Sequence, residues 1–124
     1  MPSAADAREL LRQGRLVEAE RLYERILEGA PDDVEALNIV ALAQLRNGRA
    51  PKALSLLERA VRTAPQDPFT RHNLGRVREG AGDIAGAIAA YRAALELRAD
   101  FFVARLYLAA ALERSGQAQA ALLQ

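Results

Sequence analysis

Few side chains in this sequence could do covalent chemistry. Its 124 residues hold one His and no Cys, which removes thiolate nucleophiles, disulfides and Cys-rich metal sites. A single imidazole also excludes zinc or iron sites built on several histidines. That residue, His72, stands in Phe69-Thr70-Arg71-His72-Asn73-Leu74. A general base needs a partner within hydrogen-bond reach, and no Ser or Cys nucleophile motif surrounds it. It reads instead as a solvated or hydrogen-bonded helix residue. Gly80-Ala81-Gly82 lacks the Gly-Lys-Ser/Thr of a phosphate loop and follows no strand pattern. It reads as a turn between helices. Asp32 and Asp33 follow Pro31 and read as caps for the next helix, whose N-terminal end favours negative charge. No catalytic residue, cofactor or metal is expected.

What remains is arginine. Of the 17 basic residues all but Lys52 are Arg, and a guanidinium binds carboxylates through two parallel hydrogen bonds. With 16 acidic residues the net charge is only +1, so no overall electrostatic case for nucleic acid exists. No stretch of 18 apolar residues suggests a membrane span. The opening Met1-Pro2-Ser3-Ala4-Ala5-Asp6 lacks the basic and apolar regions of a signal peptide, so a cytoplasmic location is expected. A hydrophobic content of 51% argues against disorder. Abundant Ala and Leu, with only 5% aromatic residues, favour helices.

The elements that must position these side chains repeat. Gly14, Gly48, Gly82 and Gly116 are spaced by 34 residues, and Ala19, Ala53, Ala87 and Ala121 keep that interval. Small residues Ala7, Ala41, Gly75 and Ala109 form a third column, and Tyr23, Leu57 and Tyr91 a fourth. Each period reads as two antiparallel helices. Small residues where the two cross let the axes approach. The spacing predicts helices over 3–13, 16–29, 34–46, 50–63, 68–80, 84–97 and 102–114, with a stub over 118–124. Ser3 with Asp6 three residues on predicts the first N-terminus.

This pattern resembles the tetratricopeptide repeat. The family's Leu-Gly-like pair is Leu74-Gly75, its inter-helix Gly is Gly82, and its helix-B positions are Ala87, Tyr91 and Ala94. The third repeat departs from the pattern, with Ala99 where the closing Pro would stand. The resemblance implies an all-α, right-handed α-solenoid of antiparallel helix pairs. It would form one domain over 1–124, with repeats 1–33, 34–67, 68–101 and a partial 102–124. The chain reads as the N-terminal part of a longer protein. The stretch Asp100–Leu108 also resembles repeats that precede bacterial aspartyl/asparaginyl β-hydroxylase domains.

Stacked helix pairs make an extended concave face, which in the resembling family is lined by the first helix of each pair. In the resembling family that face binds peptides, which implies a non-catalytic protein-interaction module. The alternative is an accessory domain of a larger enzyme, such as a β-hydroxylase or a transferase. Groove positions map onto Arg8, Arg12, Asn38, Leu42, Arg46, Phe69, His72, Asn73, Arg76 and Arg114. Arg12, Arg46 and Arg114 share one register, and Arg8 and Arg76 another, so an acidic protein or peptide partner is expected. The competing possibility is that these arginines pair with Glu35, Glu79 and Glu113. The Lys/Asn/Arg set of the chaperone-tail clamp is not assembled. Around the last helix Phe101, Phe102, Leu106, Tyr107, Leu108 and Leu112 spread apolar groups over most of the circumference. A helix apolar on most sides is normally buried. The expectation is a surface for a following segment or for pairing of two copies.

Overall fold

A computed structural model describes residues 3–122, with side chains through 117. Its contacts divide into two compact units, Met1–Pro65 and Gln66–Gln124. The first holds α1 (Ala4–Arg12), α2 (Leu16–Gly29), α3 (Val34–Arg46) and α4 (Ala50–Thr63). The second holds α5 (Pro68–Gly80), α6 (Ile84–Leu97) and α7 (Phe102–Leu122). Among the described residues there is no strand.

Side chains start most of the helices. The Ser3 hydroxyl accepts from the Asp6 N–H at 3.2 Å, and the Asp33 carboxylate from the Ala36 N–H at 2.9 Å. Asp67 accepts from the Phe69 N–H, and Asp83 from the Gly86 N–H. Each satisfies one of the donors that a helix start leaves without a partner. At the other end three glycines turn the chain. Gly14, Gly48 and Gly82 have φ of 76, 78 and 84°, a conformation costly for any residue bearing a Cβ. There the next N–H reaches back to a helix carbonyl: Arg15 to Leu10, Arg49 to Gln44 and Asp83 to Arg78, at 2.8 to 2.9 Å.

Packing follows the small-residue columns. Ala7 and Ala41 on the first helices, and Ala19, Ala53 and Ala87 on the second, are fully buried. Gly75 shows the reason most directly, because a Cβ there would run into the Tyr91 ring. The first unit's core joins Ala7, Tyr23, Ala36 and Val40 with Ile26 and Ile39 against them. In the second unit Ala87, Ile88, Tyr91 and Ala111 cluster with Ile84 and Leu108.

One expected element is not formed. The spacing predicts a turn at Gly116 and a stub helix over 118–124, but α7 runs unbroken from Phe102 to Leu122. At the three earlier glycines a 14-residue helix follows and packs back. After Gly116 the ladder continues through Gln117, Ala118, Gln119, Ala120, Ala121 and Leu122, all good helix formers. Continuing the ladder across one glycine costs about 1 kcal/mol. Breaking the ladder there and nucleating a new helix costs more. Residues 123 and 124 of the predicted stub lie outside the described residues.

Overpacking a buried small column should be felt at once. Ala53→Leu or Ala87→Leu is expected to destabilise by about 1–3 kcal/mol, seen as a lower melting temperature by circular dichroism. Equal melting temperatures would mean the helices do not meet at these columns.

Candidate functional site: an aromatic and arginine face on α5

Phe69, His72, Asn73 and Arg76 fall at steps of three and four, so they form one stripe along α5. Phe69 is half exposed, and its ring centroid lies 4.9 Å from that of Phe101. The Arg98 guanidinium sits over both rings, at 5.7 and 5.8 Å. Arg76 lies 5.6 Å from the Tyr107 ring centroid and makes no ion pair among the described residues. Phe69, Asn73 and Arg76 therefore present one apolar ring, one amide and one uncompensated cation on a single helix face.

His72 sits beneath that face, 5% exposed. Its ring touches Tyr91, Phe101 and Tyr107 at centroid distances of 5.4, 5.2 and 4.8 Å. Nδ1 is buried with no hydrogen-bond partner among the described residues. Burial, with a smaller contribution from the Arg76 cation, holds its pKa down at about 4. The ring is therefore neutral near pH 7, and it acts as a core aromatic rather than the solvated or hydrogen-bonded residue its sequence setting suggests.

The other arginines of the expected groove are neutralised within the protein. Arg8 forms a bidentate pair with Glu35, with Nε and Nη2 each 2.9 Å from a carboxylate oxygen. The Tyr23 hydroxyl donates to the same carboxylate at 2.7 Å. Arg8 holds Glu35 below the usual carboxylate range, while burial and then Glu35 push Tyr23 up to about 12. The second unit repeats the arrangement. Glu79 accepts from the Tyr91 hydroxyl at 2.6 Å and from Arg114. Arg12 pairs with Glu9, and Arg46 with Glu20. Glu35 and Glu79 thus take the pairing role open to them in the sequence, whereas Glu9 and Glu20 stand in for Glu113. Asn38 is buried and its Nδ2 donates to the Val34 carbonyl, and Leu42 is half-buried.

Three residues change place relative to the sequence reading. Leu108, expected on the open surface of the last helix, packs inward against Ala87, Ile88, Tyr91 and Ala111. Phe101, expected on the exposed surface of the last helix, is buried against Ala94 and Ala104 and between the Phe69 and His72 rings. It precedes α7, so its direction does not follow that helix's periodicity. Tyr107, read with the same apolar surface, instead joins the α5 face through His72, Tyr91 and Arg76. Its signal was available: it lies 34 residues after Asn73, a position already mapped to the groove.

The repeat and its helix pairs find a match in known proteins. The model of the family described as "Tetratricopeptide repeat" matches residues 5–68 and 72–124. The chain belongs to the tetratricopeptide repeat family. It is 36% identical over 112 residues to the cellulose synthase 2 operon protein C of Komagataeibacter xylinus, covering 89% of this chain and 9% of that protein. The tetratricopeptide repeat-containing protein trd-1 of Caenorhabditis elegans is 31% identical over 80 residues, 64% of this chain and 10% of that one. The chain thus spans about a tenth of the length of these curated relatives. Among solved structures, an O-GlcNAc transferase from Thermobaculum terrenum matches with a TM-score of 0.80 and 37% identity, over 86% of this chain and 20% of that one. The first repeat domain of Spaghetti (RPAP3), bound to an HSP90 peptide, has a TM-score of 0.79 at 20% identity, over 90% of this chain and 89% of that one. At that identity the likeness speaks for the fold.

The depressed His72 pKa makes stability depend on pH in a fixed direction. Between its ordinary 6.5 and the folded value near 4, the unfolded chain takes up a proton that the folded chain does not. The contribution is fully present above about pH 6.5 and falls by on the order of 1 kcal/mol per pH unit below it. Urea unfolding from pH 7 to 5 should show this loss, and His72→Leu should flatten it. Identical slopes for the two proteins would mean the imidazole is not held neutral.

Proposed function

We propose that this chain is a non-catalytic interaction module that binds an acidic peptide segment on the α5 face formed by Phe69, Asn73, Arg76 and Tyr107. One observation carries the reading. Among the described residues Arg76 has no carboxylate partner and lies beside exposed aromatic surface, whereas Arg8, Arg12, Arg46 and Arg114 are all held by glutamates. A carboxylate of the partner would complete Arg76, and Phe69 would cover an adjacent apolar side chain. Hydrogen bonds to a charged group are worth about 1.5–3 kcal/mol, so one unpaired guanidinium outweighs several paired ones. The peptide held by the structurally similar repeat domain of RPAP3 supports the general mode of action.

A second reading has its own support. The 37% identity to part of an O-GlcNAc transferase favours a docking region within a larger enzyme, here a transferase. The catalytic groups would then lie outside these residues, and the same α5 face would present a substrate protein. The gene sequence following Gln124 separates the two readings.

A fluorescein-labelled peptide alternating Glu with Leu or Phe tests the face by anisotropy. Arg76→Ala should weaken binding about tenfold, on the order of 1.4 kcal/mol, and Arg12→Ala should leave it unchanged. Raising salt from about 50 to 500 mM should weaken the wild type more than Arg76→Ala, because an exposed pair is screened. Equal binding by the Arg76 variant and wild type would overturn the assignment.

A further inference from the structure

The outer face of α7 is apolar and uncovered. Phe102 and Leu106 are 68% and 70% exposed, and Val103 49%. The repeat register shows what this face is built for. Leu106 stands in the column of Asn38 and His72, which are 8% and 5% exposed. Ala109 stands in the column of Ala7, Ala41 and Gly75, all buried, yet is itself exposed. On α5 this face carries a helix, since the Tyr91 ring of α6 closes on both Gly75 and His72. On α7 no described residue does so. Phe102, Leu106, Ala109 and Glu113 recur at steps of three and four, with Ala109 and Ala110 in the middle. That is the pattern with which the chain joins its own helices: bulk at the ends and a small residue at the crossing.

We propose that this face pairs with the same face of a second copy, the two α7 helices antiparallel and Ala109 at the two-fold axis. Charge selects that arrangement. In an antiparallel pair centred on Ala109, residues equally far before and after the centre come opposite one another. Arg105 then faces the partner's Glu113, and the relation holds twice by symmetry. Among the described residues Glu113 is exposed and makes no ion pair, and Arg105 meets the Ala99 carbonyl and the Phe102 ring but no carboxylate. Parallel pairing would set Arg105 against the partner's Arg105 and Glu113 against the partner's Glu113. Size agrees with charge. Phe102 comes opposite the partner's Gly116, and Gly116 has open space where a Cβ would stand. Leu106 lies beside the partner's Ala110. The continuous helix across Gly116 is what brings that glycine into register with Phe102.

The face does not overlap the peptide site on α5, so each proposal can fail without the other. Sedimentation velocity on the 124-residue chain should show a monomer–dimer equilibrium, and Leu106→Glu should abolish it. Val17→Glu, at an exposed apolar position on α2, should not. Arg105→Glu and Glu113→Arg should each weaken dimerisation about tenfold, and the double exchange should restore it. Circular dichroism checks that every variant is folded. With no native Cys to interfere, Ala109→Cys should cross-link to itself on oxidation, because residues at the axis come within disulfide reach. Val17→Cys should not cross-link. A wild-type monomer up to about 200 μM, where even a Kd near 100 μM would show, overturns the pairing and leaves the face to another helix. A dimer not rescued by the double exchange overturns the antiparallel register.

Discussion

Everything in these two units depends on how closely two helices can lie where they cross. An α-helix is a fixed cylinder, so only side-chain volume at the crossing sets the distance. Ala7, Ala41 and Gly75 keep one side of that contact small, and Ala19, Ala53 and Ala87 the other. Once the axes are close, large side chains on either side have somewhere to go. Tyr91 fills the room that Gly75 leaves, and Tyr23 is buried in the corresponding column of the first unit.

The two tyrosines solve the same problem of polarity in the same way. Each is buried to the hydroxyl, and a buried hydroxyl without a partner is costly. Glu35 takes the Tyr23 proton donor and Arg8, and Glu79 takes that of Tyr91 and Arg114. Each carboxylate thereby joins a core side chain to a surface cation. The arginine columns are thus spent on holding the scaffold, which leaves Arg76 as the member of that set open to a ligand. Among the described residues His72 is the exception to polar satisfaction, with Nδ1 buried and without a partner. It is kept neutral among three aromatic rings and serves as one of them.

The repeat, the helix limits and the glycine turns were legible in the sequence because backbone geometry dictates them locally. Gly48 needs a positive φ, and Asp33 stands where a cap is needed, whatever lies around them. The site was legible only as a set of positions. The family resemblance mapped Phe69, Asn73 and Arg76 onto the groove, but which arginines remain open depends on long side chains reaching across helices. Glu20 lies 26 residues from Arg46, and Glu79 lies 35 from Arg114. No periodicity encodes such pairs. The turn at Gly116 failed for a related reason. A glycine permits a left-handed turn but does not compel it, and at Gly116 the helical ladder continues instead.

The glycine turns also bear on how the chain folds. Each one joins helices that are neighbours in sequence, and the principal helix contacts run α1 with α2, α2 with α3, α3 with α4, α5 with α6, and α6 with α7. Native contacts are therefore short in sequence separation, and little loop entropy is lost before burial begins to compensate. A chain of this kind reaches its native state in microseconds to milliseconds, starting from whichever hairpin closes first. The same locality works in reverse. A pair can open without dismantling the others, so amide exchange would be graded between helix pairs and slowest around the buried Tyr23 and Tyr91.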